Sequence, residues 1–110
     1  MCGACGRTVV PDPVFPAGRS TRGNLIAGQL LDALCAAAAN RIRVAGHADG
    51  FTVTLPGRRP VSCATVADVW LAVLAAAPGT TGTPSAELEA RYQTELPLLR
   101  AVVTAFPGTR

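Results

Sequence analysis

Cys2 and Cys5 are separated by two residues and followed by Gly6, a spacing that lets a tight turn aim both sulfurs at one centre. That is the geometry one arm of a tetrahedral zinc site requires. Zinc takes four ligands, and the remaining candidates are Cys35, His47 and Cys63. Cys63 stands where a strand is expected to give way to a helix N-terminus, whose N–H groups favour a thiolate, so it is the first choice. His47, in a hairpin connection, is the next. Cys35 lies on the apolar stripe of a helix and reads as a small core residue, the common fate of a free cysteine.

The run Cys2-Gly3-Ala4-Cys5-Gly6 resembles the first knuckle of zinc-ribbon and treble-clef proteins, many of which act around ribosomes, RNA polymerase or nucleic acid. The resemblance covers residues 2 to 6 and implies Cys2 and Cys5 as metal ligands. A second Cys-x-x-Cys arm is missing. The pair therefore recruits Cys63 or His47, shares a four-cysteine site with a second copy of the chain, or holds no metal at all. A thioredoxin-like redox pair would follow a strand and open a helix, whereas this one precedes a proline-rich arm.

Catalysis has little to build on. Cys63 and His47 are the one nucleophile and base pair that can be drawn, which leaves a small thiol-dependent enzyme as a distant alternative. The carboxylates Asp12, Asp32, Asp49, Asp68, Glu87, Glu89 and Glu95 are scattered or stand at helix starts, and no phosphate-cradling glycine loop is present. All 10 basic residues are arginine and the net charge is +3. This excess permits nucleic-acid binding without demanding it. Arg7, Arg19 and Arg22 form one basic group, while Arg41, Arg43, Arg58 and Arg59 form another that can serve as a phosphate-contacting surface.

The elements that must position these groups follow from periodicity. A single domain of 110 residues is expected, divided into a Cys-pair and proline-rich arm (1–23), a helix-hairpin-helix body (24–77) and a C-terminal helical element (83–107). Asn24 is a plausible cap for a helix through Leu25, Ile26, Leu30, Leu31, Leu34 and Cys35. Arg41 to Val44 and Phe51 to Leu55 alternate polar and apolar and flank the turn pair Asp49-Gly50, which predicts an antiparallel hairpin. After the Pro56-Gly57 break and the Arg58-Arg59-Pro60 corner, Val61 to Cys63 makes a third strand. Thr65 to Asp68 resembles a capping box and opens a second helix, apolar almost all round, that stops before Pro78.

Pro78 to Gly82 reads as a flexible linker, and Thr83-Pro84 starts a last helix that Pro97 kinks or breaks, with Thr94 as the candidate cap of a further helix. The fold class is α+β: a small three-stranded antiparallel sheet packed with two to four helices behind an N-terminal zinc-knuckle arm. The order helix, three strands, helix is similar to that of double-stranded RNA-binding domains. Those domains place a basic cluster at the start of their second helix, where this chain has Ala64 to Asp68 with one negative charge.

Apolar residues make up 49% of the chain and charged residues 15%, so a protein partner or self-association is expected to cover part of the surface. The alanine-rich, lysine-free composition suggests a high-GC bacterium or its phage. A signal sequence and a membrane span are both lacking, which makes a cytoplasmic location the expectation. The reading that results is a non-enzymatic accessory or regulatory binding protein, stapled by Zn2+, that engages a protein or ribonucleoprotein assembly. A stand-alone nucleic-acid-binding protein using the arginine face is the alternative.

Overall fold

The computed structural model describes residues 12–15, 20–38, 41–80 and 83–107. Its first helix, α1 (Thr21–Ala37), is opened by Ser20, whose hydroxyl accepts from the Gly23 N–H at 3.0 Å. Ser20 thus takes the capping role that the sequence suggests for Asn24. Asn24, one turn further in, is fully buried, and its Nδ2 donates to the carbonyl of His47 at 2.8 Å. Ala27, Leu30, Leu31, Leu34 and Cys35 form the apolar stripe of α1 and line the core.

Three antiparallel strands follow, β1 (Arg43–His47), β2 (Gly50–Thr54) and β3 (Val61–Cys63), in the order β1-β2-β3. Alternation buries Ile42, Val44, Phe51, Val53, Leu55 and Cys63 on one face. The β1–β2 turn is Ala48-Asp49, with His47 paired to Gly50. Gly50, expected in the turn, instead starts β2 at φ +154°, and a Cβ there would collide with the Cys63 carbonyl oxygen. Glycine is needed at that position because β3 passes so close.

The β1 edge of the sheet is covered and the β3 edge is short. Along β1, the Asp32 carboxylate of α1 accepts from the Val44 N–H at 2.9 Å, and Gly28 of α1 lies against Gly46, where any Cβ would strike backbone. Since Val44 N–H points away from β2, alternation turns the N–H and C=O of Ser62 to the outer edge of β3. That edge is three residues long and follows Pro60, which has no N–H to offer.

Helix α2 (Val66–Ala76) is capped by Thr65, whose hydroxyl accepts from the Asp68 N–H at 3.2 Å. Val66, Val69, Trp70 and Val73 face inward, while Leu71 is 57% exposed between the exposed Ala67 and Ala75. One face of this apolar helix is therefore core and the other is open. The expected linker begins as an ordered turn: the N–H of Thr80, a buried residue, donates to Ala77 O at 3.0 Å.

The C-terminal element is broken rather than kinked. Helix α3 (Ala86–Arg91), capped by Ser85, gives way to a 3-10 turn (Gln93–Glu95) and then α4 (Leu96–Thr104), with Pro97 in the first turn. Proline is tolerated there because no N–H partner is required. Glu95, not Thr94, occupies the cap position, without a side-chain bond. The Trp70 Nε1–H donates to Val102 O at 2.9 Å and its ring meets Phe106 edge-on at 4.9 Å, so α4 seals the core of its own chain. Among the described residues no helix is long and apolar enough to cross a membrane.

Candidate functional site

The arginines of the hairpin end divide three to one. Arg41, Arg58 and Arg59 line an open groove of about 670 Å³ with Thr54, Leu55, Pro56, Gly57 and Pro60, and among the described residues no carboxylate belongs to that lining. Arg43 stands outside it. Its Nε and Nη2 donate to the two oxygens of Asp32 at 3.0 and 3.2 Å, although the side chain is 76% exposed. The hydrogen bond and the charge of Asp32 push the Arg43 guanidinium further above its ordinary pKa. The expected surface of four arginines is thus three cations in one groove, with no ion-pair partner among the described residues, and a fourth committed to α1.

Local sequence fixes this arrangement. Leu55-Pro56-Gly57-Arg58 is a turn closed by the Arg58 N–H to Leu55 O at 3.2 Å, with Gly57 at φ +70°. Proline second and a positive-φ glycine third is the type II pattern. Pro60 then restricts Arg59 to extended backbone. Extending the β1–β2 register beyond Arg43↔Thr54 brings Arg41 opposite Pro56, across the groove from the corner.

The thiol and imidazole candidates are kept apart. Cys63 pairs with Phe51 and points into the core at 8% exposure, whereas His47 pairs with Gly50 on the open face, where its Nε2 lies 3.1 Å from Thr52 Oγ1. Side chains on opposite faces of one sheet cannot meet at a single metal ion or work as a nucleophile and base pair. Burial, and secondarily the charge of Asp68, pushes the Cys63 thiol up from its ordinary pKa. This runs opposite to the expected thiolate stabilisation at the helix start, where the Val66 N–H is bonded to Asp12 and the Asp68 N–H to Thr65. Cys35 is buried in α1, as expected of a core residue, while Cys2 and Cys5 lie outside the described residues. Among the described residues no three His, Cys, Asp or Glu side chains cluster as a metal site.

Asp12, the acceptor of the Val66 N–H, is a residue that sequence reasoning passed over. It is 5% exposed; its Oδ1 accepts from the Val14 N–H at 3.1 Å and its Oδ2 from the Val66 N–H, in the first turn of α2, at 2.9 Å. A carboxylate at a helix start satisfies an orphan donor and complements the helix dipole. The Asp12-Pro13 dipeptide signals a turn, and Phe15 N–H closes one on Asp12 O at 2.9 Å. Nothing local announces a partner 54 residues away.

A second concavity of about 370 Å³ lies between this segment and the helices, bounded by Asp12, Val14, Ala67, Ala101, Thr104 and Ala105. Its polar groups are engaged elsewhere: both Asp12 oxygens accept backbone N–H groups, and Thr104 Oγ1 donates to Arg100 O at 2.7 Å. The arginine groove is the better candidate because its charges have no ion-pair partner among the described residues. Comparison with protein-family models, with curated proteins and with solved structures finds no match to this chain.

Proposed function

We propose that the protein is a small, non-enzymatic accessory factor that attaches to a protein or ribonucleoprotein assembly through the groove of Arg41, Arg58 and Arg59. The observation that carries this reading is three guanidinium groups in one open groove that, among the described residues, has no acidic residue in its walls and no ion-pair partner for them. Arginine forks pair with carboxylates and phosphates, and a rigid corner lowers the ordering cost of presenting them. The outward face of α2, with Leu71 exposed and Asp68 its only charge, supplies apolar surface for a protein contact.

Zn2+ remains part of the reading, held by Cys2 and Cys5 together with the pair of a second copy, which completes the four ligands that zinc takes. The body is the weaker source, because Cys63 is buried in the core and held as the thiol while His47 lies on the opposite face of the sheet. The groove arginines also suit the phosphates of RNA or DNA bound by this protein alone, which is the second reading.

Tagged full-length protein should co-purify with a stoichiometric assembly. The contact should be lost when Arg41, Arg58 and Arg59 are changed together to alanine and kept in Arg43→Ala. Unchanged co-purification in the triple variant would remove the groove from the function.

A further inference from the structure

We infer, resting on the groove reading above, that Arg41, Arg58 and Arg59 receive an extended, carboxylate-rich segment of a partner protein and not a nucleic-acid strand. A strand of nucleic acid is held by many phosphate contacts, and a single strand also by aromatic rings on which its bases stack. Among the described residues, the surroundings of the groove supply few of either. Arg43, the nearest further cation in sequence, is taken by Asp32, and the adjoining open sheet face carries Ala45, Thr52, Thr54 and Ser62, with His47 at its far end bonded to Thr52. Phe51 and Trp70 are fully buried, and Phe15, Tyr92 and Phe106 pack against the core. No described aromatic ring lines the groove.

What the groove does offer is a short, local set of positive charges over an apolar floor of Leu55, Pro56 and Pro60. An extended peptide places alternate side chains on one side about 7 Å apart, so two or three glutamates or aspartates on alternate residues can each meet a guanidinium. The backbone and methylene groups between them rest against the proline rings. Carboxylates pair with arginine in bidentate geometry, and a ligand of few charges fits a protein whose net charge is +3.

The test is fluorescence anisotropy of the full-length protein with four labelled probes at low salt: a peptide alternating glutamate with alanine, its glutamine counterpart, and oligo-dT and oligo-rU of similar length. The glutamate peptide should bind, with the glutamine peptide and both oligonucleotides weaker by about tenfold or more. Combined Arg41→Ala, Arg58→Ala and Arg59→Ala should weaken the glutamate peptide by a similar factor, and Arg43→Ala should leave it unchanged. All four side chains are exposed, and circular dichroism of each variant confirms an intact fold. Oligonucleotide binding tighter than peptide binding and lost in the triple variant would overturn the acidic-segment inference while keeping the groove. Peptide binding untouched by the triple variant, or no binding of any probe, would also overturn it, and the co-purification experiment then decides the groove separately.

Discussion

Asp12→Ala tests whether the arm is structurally part of the domain. The substitution strips the Val66 N–H of its acceptor at a residue with 0% exposure, and a buried donor left unsatisfied costs about 1–3 kcal/mol. Loss of the charge at the α2 N-terminus adds about 0.3–1 kcal/mol, and loss of the bond to the Val14 N–H about 1 kcal/mol more. Water entering the smaller side chain's space recovers part of this, so the expected cost is about 2–4 kcal/mol. Asp12→Asn keeps an acceptor oxygen and loses the charge, which should cost about half as much.

Trp70 is the only tryptophan and packs on Phe106, so its fluorescence during urea unfolding reports the core that the arm abuts. With a urea dependence of about 2 kcal/mol per molar, the middle of the range for small proteins, the Asp12→Ala midpoint should fall by about 1–2 M at unchanged slope. A midpoint that moves by less than about 0.3 M would refute the pinning argument. Equal damage from Asn and Ala would show that charge alone matters and that the acceptor geometry contributes nothing.

Gly46→Ala drives a methyl group into the Asn24 carbonyl of α1, backbone against backbone, and should cost about 3 kcal/mol or more in the same urea assay. In zinc-free protein, alkylation of Cys63 followed by peptide mass spectrometry should run about tenfold or more slower than in urea, because burial holds the thiol protonated. Its pKa is higher in the folded than in the unfolded chain, so its contribution to stability is full below the ordinary thiol range and is lost as pH rises above it. A flat stability profile there would contradict the raised value. Zinc content read with native mass should give half a zinc per chain in a dimer, lost in Cys2→Ser and kept in Cys63→Ser and His47→Ala. One zinc per chain, lost in Cys63→Ser or His47→Ala, would show instead that the body supplies a ligand, and no metal under reducing, zinc-replete conditions would sink the zinc reading.

The body of the fold was legible wherever one residue type answered one local demand. The stripe of α1, the alternation of the hairpin, the Thr65 cap and the break before Pro78 all follow from periods of 3.6 and 2 and from capping chemistry. The misreadings concern polar residues whose partners are distant. Asn24 looks like a helix cap, but its amide serves the hairpin carbonyl of His47, and Ser20 caps in its place. Asp12 and Asp32 look like scattered surface carboxylates, yet each accepts a backbone N–H from another element. The four arginines were legible as a group, but their division was not, because only the approach of α1 to the edge of β1 brings Asp32 to Arg43.

The glycines of the hairpin show how backbone packing sets the candidate site. Asp49-Gly50 as the turn would pair Ala48 with Phe51, leave every side chain on the same face, and slide β1 by two residues along β2. Arg41 would then stand opposite Arg58, setting two like charges against each other at the corner. The chain turns instead at Ala48-Asp49, which leaves Gly46 where Asn24 of α1 touches β1 and Gly50 where the Cys63 carbonyl of β3 touches β2. Each glycine answers a close backbone approach from a different side, and together they pin the register from both edges of the sheet. That register places Arg41 across from Pro56 and leaves room between Arg41 and the Arg58-Arg59 corner. The spacing of the three groove guanidinium groups is therefore a consequence of two glycines that lie outside the groove.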